Sequence, residues 1–84
     1  MTYEIEILRS AQKQLSKIQR DEQQRIIKGI RKLSENPRPK GCKKLTARPA
    51  WRIRIGNYRV LYEIHDNRLL ILVIDIGHRR EIYR

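Results

Sequence analysis

The chain has 84 residues, of which 39% are hydrophobic and 35% are charged, and its formal net charge is +11. This size predicts a single domain over residues 1–84, and the longest apolar run, 69–74, is too short to span a membrane. The single cysteine, Cys42, excludes an internal disulfide and favours a reducing cytoplasm, while the charge indicates nucleic acid, an anionic surface or an acidic protein as partner.

The first half of the chain predicts one strand and then two helices. Residues 3–7 alternate apolar and acidic side chains, as a half-buried strand does. Ser10 is the expected N-cap of the first helix, whose apolar side chains recur at helical spacing at Ala11, Leu15 and Ile18. Asp21 is the expected N-cap of the second helix, with Gln24 as its capping-box partner. That helix ends near Asn36, because Pro37 disfavours helical geometry in the residue before it, and it turns inward Ile26, Ile27, Ile30 and Leu33.

The second half predicts a long basic loop and then three strands. Prolines and a glycine mark the loop at about 37–50. The next two strands flank a two-residue turn at Gly56-Asn57, which places Ile55 opposite Tyr58 and Arg54 opposite Arg59. The third strand, 69–76, is apolar on both faces and is expected at the centre of the sheet, ending before Gly77.

These elements predict an α+β fold. An N-terminal strand, a two-helix hairpin and a three-stranded antiparallel meander would form one small curved sheet with both helices on one face. The other face would carry four apolar side chains, which are Leu61, Leu70, Leu72 and Ile74. Either a partner segment covers this second face, or sheet curvature and the long loop do so.

Three arginines are predicted to share one patch of the sheet. Alternation along the hairpin turns Arg52, Arg54 and Arg59 to the same side, and the turn sets two of them directly opposite each other. Like charges in that position destabilise a sheet, whereas a polyanion is gripped by planar guanidinium groups. The patch lies in a basic interval, free of acidic residues between Glu35 and Glu63, that includes Lys43 and Lys44. The alternative interpretation is a solvated basic strand face.

The C-terminal residues 77–84, G-H-R-R-E-I-Y-R, are rich in functional side chains. Cleavage of RNA by its own 2′-OH needs in-line positioning, charge neutralisation at phosphorus and a proton path. Arginine supplies charge, histidine can move protons near neutral pH, and tyrosine can stack on a base. The alternatives are a surface turn for His78 and packing of the chain end for Tyr83. No histidine and cysteine cluster has metal-ligand spacing, so we expect neither a metal nor another cofactor.

Two long motifs, W-R-I-R-I-G-N-Y-R-V-L-Y-E-I at 51–64 and V-I-D-I-G-H-R-R-E-I-Y-R at 73–84, make the chain resemble the RelE toxins of the RelE/ParE superfamily. The A-x-K-x-L pattern at 11–15, N-P at 36–37 and K-K-L at 43–45 add to the resemblance, which covers essentially the whole length. It implies a microbial RNase-like fold and a metal-independent endoribonuclease that cuts mRNA in the ribosomal A site. It also implies a cognate acidic antitoxin that neutralises the toxin in a hetero-oligomer.

The resemblance also implies site residues, position by position. Arg52 and Arg54 fall where the family places basic residues, often lysines, that hold the scissile phosphate, and Arg59 matches a phosphate-binding arginine. Arg79 matches an arginine credited with protonating the leaving group, and Tyr83 matches a tyrosine that stacks on the substrate. The expected auxiliary substrate contacts are Lys43, Lys44, His78 and Arg80.

The general base and the choice between Arg79 and Arg80 stay open, because arginine has too high a pKa for a comfortable base. The main alternative function is a ParE-type gyrase inhibitor, which binds and does not cut. A third is a degenerate toxin retained as a DNA-binding or regulatory protein.

Overall fold

The computed structural model describes residues 2–78, and their strands form one five-stranded mixed sheet. The elements in chain order are β1 (Glu4–Ile7), α1 (Arg9–Ser16), α2 (Arg20–Lys32), β2 (Lys43–Lys44), β3 (Trp51–Ile55), β4 (Tyr58–His65) and β5 (Leu70–His78). Across the sheet the order is β1-β5-β4-β3-β2. The α+β fold class is confirmed, and the apolar strand β5 lies inside the sheet between β1 and β4, while β4 is the middle strand.

The β3–β4 hairpin has the predicted register. Arg54 lies opposite Arg59 and Ile55 opposite Tyr58. Gly56 takes a φ of +60° at the first turn position, where two-residue hairpin turns of the II′ type need a positive φ. The glycine and the alternation on either side of it therefore fix which side chains share each face of the sheet.

Both helices pack on the same face of the sheet. Their buried side chains, Ala11, Ile26 and Ile30, together with Leu33 at the C-cap of α2, form one core cluster with Val60, Tyr62, Ile71, Val73 and Ile76 of β4 and β5. Gly29 brings α2 close to β3, because a methyl group placed on it would lie 2.5 Å from Ile55 Cδ1. Ile27, predicted to point inward, is half-buried.

The predicted helix starts were wrong. Helix α1 begins at Arg9 with Leu8 as its N-cap, and α2 begins at Arg20 with Gln19 as its N-cap, and neither cap residue makes a side-chain hydrogen bond to the helix. Ser10 and Asp21 are inside the first turns. The reason is tertiary: Leu8 N–H donates to Val73 O of β5, so β1 runs straight into α1 and leaves no room for a separate cap at Ser10.

The polar side chain of Gln14 closes the free edge of β5 beyond the end of β1. Its Nε2 donates to Asp75 Oδ1 at 2.7 Å, and its Oε1 accepts from Ile76 N–H at 2.8 Å. On the other side of β5, its pairing with β4 shifts register between Leu61 and Tyr62, beside the same part of the strand. The helix therefore supplies a hydrogen-bonding partner where the edge strand ends.

Two strand predictions need correction. Residues 43–44, assigned to the long loop, form the short edge strand β2 because the register places Lys43 beside Arg52. Gly77 does not end β5: it pairs with Arg59, and His78 pairs with Tyr58 as the last strand residue. The partner strand β4 begins at Tyr58, and pairing with it outweighs the low strand preference of glycine.

The second face of the sheet is largely covered within the chain. Leu61 and Leu70 are only 6% and 9% exposed, while Leu72 and Ile74 are half-buried. Of the two alternatives for this face, coverage by the chain itself is the one observed for these side chains. The exposed large hydrophobic side chain of the described residues is instead Leu8.

The start of the long loop is fixed to the far end of the sheet by a group of contacts that we call the loop anchor. Arg38 forms an ion pair with Asp66 at 2.8 Å and lies 5.2 Å over the ring of Trp51. Tyr3 Oη donates to Asp66 Oδ1 at 2.6 Å, and Tyr62 Oη donates to Pro37 O at 2.7 Å. Among residues 2–78, no helix is long and apolar enough to cross a membrane.

Candidate functional site

Basic side chains are gathered on the sheet face that is turned away from the helices. In one row across the sheet, Lys43 lies beside Arg52, and Arg52 lies beside Leu61. In the next row, Arg54 lies beside Arg59. Directly paired strand residues point to the same face, as do residues two apart, so these four cations share one surface, which we call the arginine face.

Burial differs sharply among the three arginines. Arg54 is exposed, Arg52 is half-buried, and Arg59 is only 8% exposed although it is charged. On its other side Arg59 is paired with Gly77 of β5. The face therefore combines one enclosed guanidinium, Arg59, with the half-buried Arg52 and the exposed Arg54.

Carboxylates on the same face are kept at its other edge or are engaged. Glu4 and Glu6 of β1 pair with Leu70 and Leu72, so leucines of β5 separate them from the arginines. Glu63 accepts a contact from His65 at 2.9 Å. The carboxylate of Asp75, which pairs with Leu61 on this face, accepts a hydrogen bond from Gln14.

The loop anchor positions Lys43 within this face. Burial and the neighbouring Cys42 thiol raise the pKa of the Tyr62 hydroxyl, which keeps it protonated as the donor to Pro37 O. Arg38, the residue after Pro37, then contacts Asp66 and the ring of Trp51 and so fixes the next position of the loop. With the loop fixed at its start, β2 can pair with β3 and place Lys43 beside Arg52.

Other predicted site residues are not brought to the arginine face. Lys44 pairs with Trp51 and so points to the helix side of the sheet. His78 pairs with Tyr58, whose ring it meets edge-on at 5.7 Å between centroids, and it too points to the helix side. The remaining predicted residues, Arg79, Arg80 and Tyr83, lie outside the described residues.

Sequence reasoning missed the carboxylate of Asp75, which pairs with Leu61 in the same row as Arg52 and is held by Gln14. The signal was present, because Asp75 is the one charged residue in the apolar run 69–76. No three His, Cys, Asp or Glu side chains within residues 2–78 come close enough together to hold a metal ion. This row of the sheet therefore carries the cation of Arg52 and the hydrogen-bonded carboxylate of Asp75.

Comparison with known proteins decides the family. The family described as ParE toxin of type II toxin-antitoxin system, parDE, matches residues 5–83. The chain belongs to this ParE toxin family. The toxin is 26% identical over 81 residues to a RelE-like toxin protein of Escherichia coli, covering 94% of this chain and 85% of that protein.

Solved structures extend the similarity to RelE. The toxin of the RelBE2 toxin-antitoxin complex from Mycobacterium tuberculosis superposes with a TM-score of 0.84 at 23% identity, over 94% of this chain and 100% of that one. The archaeal RelE-RelB complex from Pyrococcus horikoshii gives 0.83 at 25% identity, over 94% and 97% of the two chains. Membership of the RelE/ParE superfamily, recognised from the sequence motifs, is confirmed, and the protein is a RelE-like toxin of a type II toxin-antitoxin system.

Proposed function

We propose that the toxin is a metal-independent endoribonuclease that cuts mRNA bound in the ribosomal A site. The observation that carries this proposal is the cross-strand pair Arg54–Arg59 with Arg52 and Lys43 on the same face. Like charges placed directly opposite each other cost sheet stability, and an anionic ligand bound between them would offset that cost. A phosphodiester is an anion that guanidinium forks fit in a bidentate manner.

In the proposed reaction the 2′-oxygen of the RNA attacks the adjacent phosphorus while the bond from phosphorus to the 5′-oxygen breaks. The 2′-OH proton is released, the 5′-oxygen takes up a proton, and the products are a cyclic phosphate and a new 5′-OH. Arg52, Arg54 and Arg59 hold the phosphate and stabilise the charge that builds on its oxygens. Arg79 and Tyr83, outside the described residues, are proposed for leaving-group protonation and base stacking.

The cations of the arginine face are not suited to be a general base, since arginine stays protonated, and the carboxylate of Asp75 on the same side of the sheet accepts a hydrogen bond from Gln14. Catalysis must then depend largely on in-line geometry, which a ribosome holding the mRNA can impose. We therefore expect strong cleavage on programmed ribosomes and little cleavage of free RNA.

The neutralising partner is proposed to be an acidic antitoxin. The net charge of +11 supports this, because opposite charge speeds and orients protein association. Relatives with this fold were solved as toxin-antitoxin complexes, including those from M. tuberculosis and P. horikoshii. Antitoxin, ribosome and mRNA would all act in the cytoplasm.

The family that matches the chain is described as ParE toxin, and this description favours a second function. The alternative is inhibition of DNA gyrase without RNA cleavage. One experiment separates the two. Purified toxin is added to programmed ribosomes and, in parallel, to gyrase with supercoilable DNA. We expect mRNA cleavage, which falls by a factor on the order of 100 to 1000 in Arg54→Ala.

The matched control for this experiment is Arg68→Ala, since Arg68 is also exposed but lies in the turn at the opposite end of β4. It should cleave like the wild type. Gyrase inhibition with intact mRNA, or equal cleavage by both variants, would contradict the proposed function.

A further inference from the structure

Asp75 of β5 places a carboxylate on the same side of the sheet as the arginine face. It pairs with Leu61, which pairs on its other side with Arg52, so these three residues form one row across the sheet. In the next row Arg59 pairs with Gly77, two residues after Asp75, which makes Arg59 the diagonal neighbour of Asp75. Diagonal neighbours lie roughly 7–8 Å apart, within reach of long side chains. The carboxylate therefore borders the place where the scissile phosphate is proposed to bind.

One oxygen of the Asp75 carboxylate is held by helix α1. Gln14 Nε2 donates to Asp75 Oδ1 at 2.7 Å, while Gln14 Oε1 accepts from the main-chain N–H of Ile76 at 2.8 Å. Both ends of the Gln14 amide are thereby engaged, and the half-buried Asp75 side chain is fixed by its contact with the amide. Within residues 2–78, Asp75 forms no ion pair and Oδ2 accepts no hydrogen bond. This second oxygen is left as an acceptor for a ligand.

The fold does not require a negative charge at Asp75. The hydrogen bond from Gln14 needs only an acceptor oxygen, which the side chain of asparagine also has. Asp75 is the one charged residue in the apolar run 69–76, and burying part of a carboxylate without an ion pair costs free energy of folding. Departures of this kind from the pattern of an element are expected where a residue serves function.

The other carboxylates on this side of the sheet, among the described residues, lie farther from the arginines. Glu63 is four residues along β4 from Arg59, which is about 13 Å at 3.3 Å per residue, and it is engaged by a histidine. Glu4 and Glu6 of β1 lie beyond the leucines of β5. By register, Asp75 is therefore the proton acceptor best placed to reach a group bound beside Arg59.

We propose that Asp75 is the general base of the cleavage reaction and that Gln14 is its positioning residue. This inference rests on the proposed function, since it assigns the proton of the 2′-OH. Asp75 Oδ2 takes that proton while the 2′-oxygen forms its bond to phosphorus and the bond from phosphorus to the 5′-oxygen breaks. The 5′-oxygen takes up a proton where Arg79 is proposed to act, and Asp75 afterwards releases its proton to water.

A base and a phosphate ligand differ in what their loss does to binding. The Asp75 carboxylate has the same sign of charge as the phosphate, so it opposes binding of the RNA and contributes only as the 2′-OH proton leaves. Asp75→Asn keeps the size of the side chain and an acceptor for Gln14, but it removes the charge and the proton acceptor. Its affinity for ribosomes should therefore stay level or rise while its cleavage rate falls. In Arg54→Ala, by contrast, affinity and rate should fall together.

The test measures rate and affinity separately. Single-turnover cleavage is followed with saturating toxin on ribosomes programmed with unmodified mRNA. Affinity is measured by co-sedimentation with ribosomes carrying an mRNA whose scissile nucleotide lacks the 2′-OH. The matched control is Glu63→Gln, which loses the same charge on the same side of the sheet. Thermal unfolding of each variant checks that it folds as the wild type does.

We expect Asp75→Asn to cleave at least about 100-fold more slowly than the wild type, and Glu63→Gln to stay within about twofold, since a positioned base contributes on the order of 100 to 10,000. Gln14→Ala should cleave roughly tenfold more slowly, because a base that is no longer fixed loses part of its contribution. If Gln14 acts through Asp75, the double variant should cleave no more slowly than Asp75→Asn alone.

Asp75→Glu guards against a folding defect in Asp75→Asn. It keeps a proton acceptor at this position and should cleave at least about tenfold faster than Asp75→Asn, whose carboxylate is gone. Equal cleavage by the two variants would overturn the assignment of the base.

The outcomes separate this proposal from the proposed nuclease. If the wild type cuts mRNA and Asp75→Asn cuts equally fast, Asp75 is not the base, while the nuclease stands. If the affinity of Asp75→Asn falls in step with its rate, Asp75 serves binding or folding, and the proposal is again overturned. If the wild type leaves mRNA on programmed ribosomes intact, the proposed function fails and the assignment of Asp75 falls with it.

Discussion

At the scale of single residues, Arg59 is the most unusual side chain described. It is charged and only 8% exposed, and it lies between Arg54 and the bare backbone of Gly77. Enclosure holds the guanidinium in one orientation, which favours bidentate contact with the phosphate of the proposed substrate over loose attraction. The planar fork of arginine, and not its charge alone, should therefore matter at this position.

Arg59→Lys tests the fork directly. The variant keeps the charge but replaces five fixed donors with a compact ammonium group, so we expect mRNA cleavage on programmed ribosomes to fall on the order of 10- to 100-fold, somewhat less than removal of the donor. Single-turnover cleavage measures the effect. Arg52→Lys is the matched control and should remain active, because Arg52 is half-buried and not enclosed as Arg59 is. Full activity of Arg59→Lys would show that charge alone suffices there.

The face of the sheet on which a residue lies could be predicted wherever strand alternation and turn length determine it. Strand alternation and a two-residue turn correctly set Arg54 opposite Arg59. The same logic failed at His78, because Gly77 was interpreted as a strand end while the neighbouring strand β4 continued the pairing. Once His78 belongs to the strand, alternation sends it to the helix side, away from the arginines. The roles assigned to the site residues stay predictions.

At the scale of elements, the contact between α2 and β3 depends on the absence of a side chain at Gly29. A methyl group there would meet Ile55 Cδ1 at 2.5 Å and Cγ1 at 3.1 Å. Glycine inside a helix costs about 1 kcal/mol relative to alanine, so the residue is retained against its own propensity. Close packing of α2 on the strand that carries Arg52 and Arg54 explains this choice.

A double-mutant cycle tests this packing. Gly29→Ala in the wild type combines a propensity gain of about 1 kcal/mol with a steric cost of about 1 to 3 kcal/mol, so stability should stay level or fall. In an Ile55→Val background the clashing Cδ1 is gone, and the same change should raise the free energy of unfolding. Denaturant unfolding of the four proteins gives the coupling. If the effects of the two substitutions on the free energy of unfolding were additive, α2 would lie farther from β3 than described.

Elements with a long periodic pattern were predictable, and elements set by tertiary contacts were not. The position of β5 inside the sheet and the inward side chains of α2 follow from runs of apolar residues. Strand β2 has two residues, too few for any period, and exists because Lys43 and Lys44 pair with β3. The helix starts escaped prediction for a related reason, since Leu8 is fixed by a hydrogen bond to Val73 and not by a capping side chain.

At the scale of the whole molecule, the loop anchor joins the N-terminal strand, the long loop and the β4–β5 connection through Asp66. Hydrogen bonds from Arg38 and then from Tyr3 lower the pKa of the Asp66 carboxyl below its ordinary value of 3.8. A lowered carboxyl pKa adds stability that is present above the ordinary value and is lost as the pH falls through the folded-state value. The Asp66 side chain is 55% exposed, so the contribution is small.

The corresponding prediction is a pH-dependent difference between Asp66→Asn and the wild type. At neutral pH the variant should melt at a lower temperature, and the difference should shrink as the pH falls below 3.8. Differential scanning fluorimetry from pH 7 to pH 2 follows it. Asp21→Asn, at an exposed carboxylate without an ion pair within residues 2–78, is the control. A difference for Asp66→Asn that persists unchanged at low pH would assign the effect to packing.

The net charge of +11 acts on the encounter with an acidic antitoxin as a whole-molecule property. Basic groups occupy the arginine face and α2, so an anionic partner is drawn to the toxin from several directions, and this attraction is screened within a Debye length of about 10 Å at 0.1 M salt. Long-range attraction governs the association rate, whereas short-range contacts govern dissociation. We therefore expect the association rate with the cognate antitoxin to fall at least about tenfold between low and physiological salt, while the dissociation rate changes much less. Stopped-flow or surface-based kinetics across a salt series measures both rates. Association that does not change with salt would mean that charge matching has no part in neutralising this toxin.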